Sequence, residues 1–160
     1  MIRKAIVSGA NGFLGSHAVK YLLAKGVSVT ALCRNGRADR LPQSDNLSIC
    51  QFDLSKAAEN LQMIDCDEYD VFFHFAWQGI AGNDRYDTIL QMNNVQWTME
   101  TMRAAARIGC KRFVCAGSIM EREALALVST QAVALIRAVY MVVPSCWLIL
   151  CARLLPKKWG

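Results

Sequence analysis

The chain has 160 residues, a hydrophobic fraction of 54% and a formal net charge of +5. That length suits one domain with a real core, and the charge is spread along the chain without a lysine/arginine cluster interleaved with aromatics, which excludes a nucleic-acid surface. Seven cysteines, an odd number with no C-x-x-C pair and several in apolar runs, argue against a disulfide framework or a zinc site and for a reducing cytoplasm.

Strand signals and glycines arrive at once at the N-terminus, so no secretory leader is expected. The apolar run Ala5-Ile6-Val7 reads as a buried strand, and Ser16 to Leu23 as a helix with one apolar face. Between them lies Val7-Ser8-Gly9-Ala10-Asn11-Gly12-Phe13-Leu14-Gly15. Gly9 permits a tight turn, Gly12 leaves the backbone open to a phosphate, and Gly15 lets the helix pack close to the strand. The helix N-terminus offers free amides and a partial positive charge to a pyrophosphate. A tight turn that holds no ligand is the other reading of three such glycines.

The spacing G-x-x-G-x-x-G, with Asn11 and Phe13-Leu14 inside it, resembles the extended short-chain dehydrogenase/reductase family. These are the NAD(P)-dependent epimerases, dehydratases and reductases, many of which act on nucleotide sugars. The resemblance implies an α/β fold, a Rossmann-type doubly wound parallel sheet with helices on both faces. It makes Gly9, Asn11, Gly12, Phe13, Leu14 and Gly15 candidate cofactor contacts.

The alternating run from Val27 to Leu32 reads as the second strand and ends at Cys33-Arg34-Asn35. In NAD-dependent dinucleotide folds an acidic residue near this point takes the ribose hydroxyls, whereas an arginine meets the 2′-phosphate of NADP. The acid is missing here and Arg34 is present, so NADP is preferred over NAD. A solvated loop cation is the bland reading of Arg34. A polar loop from Gly36 to Asn46, with Pro42, leads to a third strand, Leu47 to Phe52. Asp53-Leu54 follows. The resemblance puts this pair beside the adenine, with the Asp53 carboxylate accepting from its amino group; helix capping explains Asp53 equally well.

Val71-Phe72-Phe73-His74-Phe75-Ala76 is apolar and aromatic throughout, as a central parallel strand should be. His74 lies within it and is expected to pack rather than react, as a histidine at the like position does in the family. Phe75, Ala76 and Trp77 are the candidate cofactor contacts at the strand's exit, and Trp77 is a candidate for shaping the substrate entrance. Asn83 to Ile108 reads as a long helix with apolar positions Ile89, Met92, Val95, Met99, Met102 and Ala106, and Gly109 as its stop. Asn94 matches a family asparagine that ties this helix to the active-site strand and aids a proton relay. Lys111 to Ser118 reads as the fifth strand and its exit. Ser118 matches the family serine whose hydroxyl bonds the substrate's reacting oxygen, so Asn94 and Ser118 are the candidate catalytic residues.

The pattern divides the chain into a NAD(P)-binding Rossmann domain, residues 1–123, and an atypical apolar tail, residues 124–160. Family chains are roughly twice as long, with a second, substrate-binding lobe. The family also carries Tyr-x-x-x-Lys on the helix after the fifth strand, where the lysine lowers the tyrosine pKa and the tyrosine moves a proton as hydride shifts. Here Tyr140 is followed four positions later by Pro144, and the dyad is expected to be absent from the chain. The tail is long enough to anchor in a membrane, but Arg137 and Pro144 argue against that. Read two bases later, the codons available to Tyr140 through Ser145 permit Tyr-Gly-x-x-Lys, which suggests a tail out of frame. The expected partners are the dinucleotide, a nucleotide sugar in the intact family, and a second copy of the chain as a homodimer. A non-catalytic nucleotide sensor and a membrane-tethered module are the alternatives to an enzyme part.

Overall fold

A computed structural model of the chain describes residues 1–64 and 68–117. Five strands form one sheet: β1 (Lys4–Ser8), β2 (Ser28–Cys33), β3 (Leu47–Gln51), β4 (Val71–His74) and β5 (Phe113–Cys115). Their order is β3-β2-β1-β4-β5 and every neighbouring pair is parallel. Among the described residues three α-helices cover the sheet: α1 (Phe13–Ala24), α2 (Ala57–Gln62) and α3 (Thr88–Arg107).

A strand buried on both faces needs apolar residues in both side-chain phases, because successive side chains alternate. β1 meets this condition, with Ala5, Ile6 and Val7 wholly buried. Ala5 and Val7 join Val29, Ala31 and Val71 against Val19 and Leu22 of α1. Ile6 joins Leu32 and Phe72 against Leu61 of α2 and Ala104 and Ala105 of α3. The helices therefore lie on opposite faces, as expected of a doubly wound sheet. From β1 the chain runs outward through β2 to β3, then crosses back to β4 beside β1. Strand order reverses there, and open α/β sheets bind ligands outside the carboxyl ends at such a switch point.

Two elements depart from the sequence reading. The helix expected from Asn83 begins as a 3-10 turn at Gly82–Tyr86, and α3 starts at Thr88 because Asp87 caps it, its Oδ1 accepting from the Leu90 amide at 3.0 Å. Ile89 and Met92, expected on the apolar stripe, are exposed at 75% and 52%, while Gln91 and Asn94 are buried. The first turns of α3 face a loop whose backbone polar groups need partners, so amides take the inner face there. The short helix α2 follows Asp53 without a signal in the pattern; six residues are too few for a 3.6-residue period to register.

His74 packs, as expected. Its Nδ1 lies 2.8 Å from Ser8 Oγ and its Nε2 3.0 Å from Thr98 Oγ1, so one ring bridges β1, β4 and α3. Burial holds its pKa down at about 3, and the ring is neutral. The unfolded chain takes up a proton below the ordinary histidine pKa of 6.5 that the folded chain refuses. Stability should therefore be complete above that value and fall as pH drops from it, by about 1.4 kcal/mol per pH unit, until the folded pKa is reached. Urea midpoints compared at about pH 7 and about pH 5 check this; equal midpoints would contradict it.

Among the described residues no helix is long and apolar enough to cross a membrane. Ser118, Arg122, Tyr140 and the whole tail, with its anchor and out-of-frame readings, lie outside the described residues.

Candidate functional site

At the carboxyl end of β1 the chain turns at Gly9, whose φ of +66° lies in the left-handed region. A Cβ there would stand 2.8 Å from both the Ala76 nitrogen and the Phe75 carbonyl carbon. Gly12 is the N-cap of α1 and supplies no capping side chain; its N–H donates to the Gly9 carbonyl at 2.9 Å. The first amides of a helix have no carbonyl behind them. Those of Phe13, Leu14 and Gly15 thus present bare donors, and no acidic residue occupies this first turn. A Cβ on Gly15 would collide with the Gly9 carbonyl and lie 2.8 Å from the Ala10 Cα. Gly15 therefore packs against the turn itself rather than against the strand.

The turn opens into a cleft of about 610 Å³ across the carboxyl edge of the sheet. Gly9, Asn11 and Gly12 line its middle. Leu32, Phe52 and Leu54 form an apolar wall at the ends of β2 and β3, and Phe75 to Ala81 line the side that follows β4. The lining thus offers an apolar wall, a bare-amide cradle and a polar loop in one continuous space.

Beyond β2 the chain doubles back. Arg34 to Gly36 form a 3-10 turn in which Asn35 and Gly36 both have positive φ, at 55° and 67°. This reversal returns Arg37, Asp39 and Arg40 to the cleft beside Arg34. Asp39 Oδ1 accepts from Asn11 Nδ2 at 2.7 Å and from Arg37 Nε at 2.9 Å. The Asn11 and Arg37 hydrogen bonds hold its carboxyl below the usual carboxylate range. Asn11 Oδ1 in turn accepts from the Arg40 amide at 2.9 Å. One asparagine in the glycine turn therefore clamps the loop that carries the charges.

On the other side, α3 holds the loop after β4. Asn94 is fully buried, its Oδ1 accepting from the Gln78 amide at 2.9 Å and its Nδ2 donating to the Gln78 carbonyl at 2.8 Å. One turn earlier, Gln91 Nε2 donates to the carbonyls of Gly79 and Asp84, and its Oε1 accepts from the Trp77 indole at 2.8 Å. Two amide side chains spaced three apart satisfy a loop that has no sheet partner.

The cleft gathers Gly9, Asn11, Gly12, Arg34, Leu54, Phe75, Ala76 and Trp77 from the expected set. Phe13 and Leu14 are not in its lining; their side chains are 73% and 57% exposed, and what they bring to the site is backbone amide. Asp53 acts as a cap: Oδ1 accepts from the Ser55 amide and hydroxyl at 2.9 and 2.7 Å, and its carboxylate is not among the lining groups. Asn94 is placed as the clasp just described, with both ends of its amide engaged by Gln78. Sequence reasoning missed Arg37, Asp39, Arg40 and Gln91. The signals were three arginines within seven residues after β2, and a glutamine one helical turn before Asn94.

A family model for the NAD dependent epimerase/dehydratase family matches residues 5–124. The chain belongs to that family. This epimerase/dehydratase homologue is 30% identical over 123 residues to dTDP-6-deoxy-L-talose 4-dehydrogenase (NAD(+)) of Aggregatibacter actinomycetemcomitans, a match covering 72% of the chain and 42% of that enzyme. Among solved structures it resembles the Bordetella bronchiseptica enzyme WbmH in complex with NAD+, at 25% identity and a TM-score of 0.56, over 71% of the chain and 38% of WbmH. A UDP-galactose 4-epimerase structure shares the fold, with a TM-score of 0.69 at 21% identity, over 94% of the chain and 52% of the epimerase. The chain thus spans less than half the length of the dehydrogenase it matches.

Two points of chemistry follow for this family member. The expectation that Tyr-x-x-x-Lys is absent from the chain needs correcting: the spacing occurs once, at Tyr21 and Lys25. These residues lie at the C-terminal end of α1, outside the cleft lining, with Lys25 Nζ 5.7 Å from the Tyr21 ring centroid. A dyad there cannot reach a ligand at the carboxyl edge, because α1 runs away from its N-terminal cradle. Cys33 lines the cleft but is buried, and burial pushes its thiol pKa up. A thiol so placed packs as a small hydrophobe and is no nucleophile.

Proposed function

We propose that this chain is the NAD(P)-binding part of an epimerase, dehydratase or reductase acting on a nucleotide sugar, with NADP preferred over NAD. The observation that carries the reading is the uncapped N-terminus of α1 behind a turn that tolerates no side chain at Gly9. A pyrophosphate fits it, because bare amides and a helix dipole both favour an anion there. Leu32, Phe52 and Leu54 supply an apolar slot for the adenine, and Trp77 borders the opposite, nicotinamide end. When bound, the cofactor would supply hydride transfer.

This chain's residues bind and orient. Gly9 and Gly12 admit the phosphates, Asn11 fixes the loop around the adenosine ribose, and Asn94 with Gln91 hold the wall on the nicotinamide side. The NADP preference rests on the guanidinium groups of Arg34 and Arg40, which have no side-chain partner among the described residues. Ser118 is assigned the contact to the substrate's reacting oxygen on the family resemblance alone. Without the family dyad after the fifth strand, the chain should bind cofactor and show no normal turnover. Its cytoplasmic setting and an out-of-frame tail belong to the same reading; encoding DNA without an open shifted frame downstream would remove the latter.

Titration of the 160-residue chain with NADPH and NADH, by fluorescence or calorimetry, tests the proposal. Both should bind, NADPH about fivefold tighter, which corresponds to about 1 kcal/mol from a charge-assisted contact. Binding of neither cofactor would overturn it.

A further inference from the structure

The corner that the cofactor reading gives to the adenosine ribose carries an anion of its own. Asp39 is not at the end of β2, where an acid would be sought, but five residues beyond Arg34, returned to the cleft by the left-handed pair Asn35 and Gly36. Its carboxylate meets Arg37 side-on, with Arg37 Nε donating to Oδ1 at 2.9 Å and Nη2 to Oδ2 at 3.3 Å. Asn11 Nδ2 also donates to Oδ1 at 2.7 Å, and the Oδ1 of the same Asn11 accepts from the Arg40 amide. Asn11 thus holds Asp39 against the glycine turn.

The consequences for the three arginines differ. Arg37 has two of its five N–H donors on Asp39 and has its charge offset by a neighbouring carboxylate. Arg34 and Arg40 line the same corner with no side-chain partner among the described residues. Oδ2 of Asp39, meanwhile, accepts one side-chain hydrogen bond and keeps lone-pair capacity for a hydroxyl. The arginines suit a 2′-phosphate, whereas the carboxylate repels one and suits a free ribose hydroxyl.

Resting on the reading that the cleft takes NAD(P), we propose that Asp39 is the specificity-determining residue that narrows the choice between the two cofactors. It withholds Arg37 from a 2′-phosphate, and it offers a carboxylate oxygen to the ribose hydroxyl of NAD. Asn11 is the positioning residue that keeps it there. The ion pair itself is well exposed, with side-chain exposures of 76% and 51%, so it matters for where it places charge rather than for stability.

The test measures NADPH and NADH dissociation constants for the wild-type chain and for Asp39→Asn, Arg37→Ala and the double variant, with thermal unfolding as the folding control. Asp39→Asn should raise the ratio of NADPH to NADH affinity about tenfold, equivalent to about 1.4 kcal/mol. Asp39→Ser, which removes the charge with a smaller side chain, should do the same. Arg37→Ala alone should change the ratio less than about threefold, but in the Asp39→Asn background it should remove most of the gain, because the released Arg37 carries it. A ratio unchanged or lowered by both Asp39 variants overturns the inference. So does equal tightening of both cofactors, which marks a general charge effect, or a gain left undiminished by loss of Arg37. A wild-type chain that binds neither cofactor fails the cofactor reading instead. One that binds NADH as tightly as NADPH fails only the preference for NADP, and the change in ratio still decides the role of Asp39.

Discussion

Gly9→Ala should abolish measurable cofactor binding, a loss of at least about a hundredfold, and lower the melting temperature by about 10 °C or more. Two costs add. The residue sits at φ +66°, where an L side chain costs about 1–2 kcal/mol. The new methyl would also stand 2.8 Å from backbone atoms of Phe75 and Ala76, which are held by the Phe75 amide's bond to the Ser8 carbonyl at 3.1 Å. Backbone pinned in a sheet cannot yield as a flexible side chain would, so the turn must shift and the amides of α1 with it. Gly26→Ala is the matched control. Its φ is +73°, but nothing lies within 4 Å of an added Cβ. It should cost about 1 kcal/mol of stability and leave NAD(P)H affinity unchanged. Equal affinities for Gly9→Ala and the wild type would sink the assignment of this turn as the phosphate cradle.

Asn94→Asp should be the most damaging of the near-isosteric changes, costing about 3–5 kcal/mol at neutral pH. The side chain is wholly buried, and each end of its amide meets one end of the Gln78 peptide, at 2.8 and 2.9 Å. A carboxylate keeps the acceptor for the Gln78 amide but sets a second oxygen against the Gln78 carbonyl, an unpaired charge in a buried place. Protonation repairs this, since a carboxylic acid can donate where Nδ2 donated. The introduced group's folded pKa is therefore raised above its unfolded value. Its variant is stabilised relative to the wild type as pH falls and penalised as pH rises through the folded pKa. Denaturant midpoints of the two proteins at about pH 7 and about pH 5 read the difference directly. A gap that widens towards acid would refute the clasp. The same variant should weaken NADH and NADPH alike, because the wall from Trp77 to Asp84 hangs on Asn94 and Gln91.

The strand–turn–helix unit at the N-terminus was legible residue by residue. A buried parallel strand shows as an unbroken apolar run, and positive φ or close backbone approach shows as glycine, because both are conditions on single residues and their neighbours. Ala5 to Val7 and Gly9 are read on those grounds, whereas the packing role of His74 comes with its place in the strand and the family resemblance. The stripe on α3 was misread at Ile89 and Met92 because hydropathy periodicity cannot tell which polar side chains will be spent on a loop. Asp53 was left between two roles that composition cannot separate, and the Ser55 contacts show it capping.

From its own pattern, then, the amino-acid sequence determined the parallel α/β sheet, the glycine turn and the family to which the chain belongs. Those depend on local backbone preferences and on which residues must leave water. Tertiary structure alone decided who faces whom across the cleft. Asn11 and Asp39 are 28 residues apart and meet because β1 and β2 are neighbours in the sheet, while Gln78 and Asn94 are 16 apart and meet because the loop after β4 folds back onto α3. Hydrogen bonds of that kind depend on the geometry of the returning chain, and no local spacing records it.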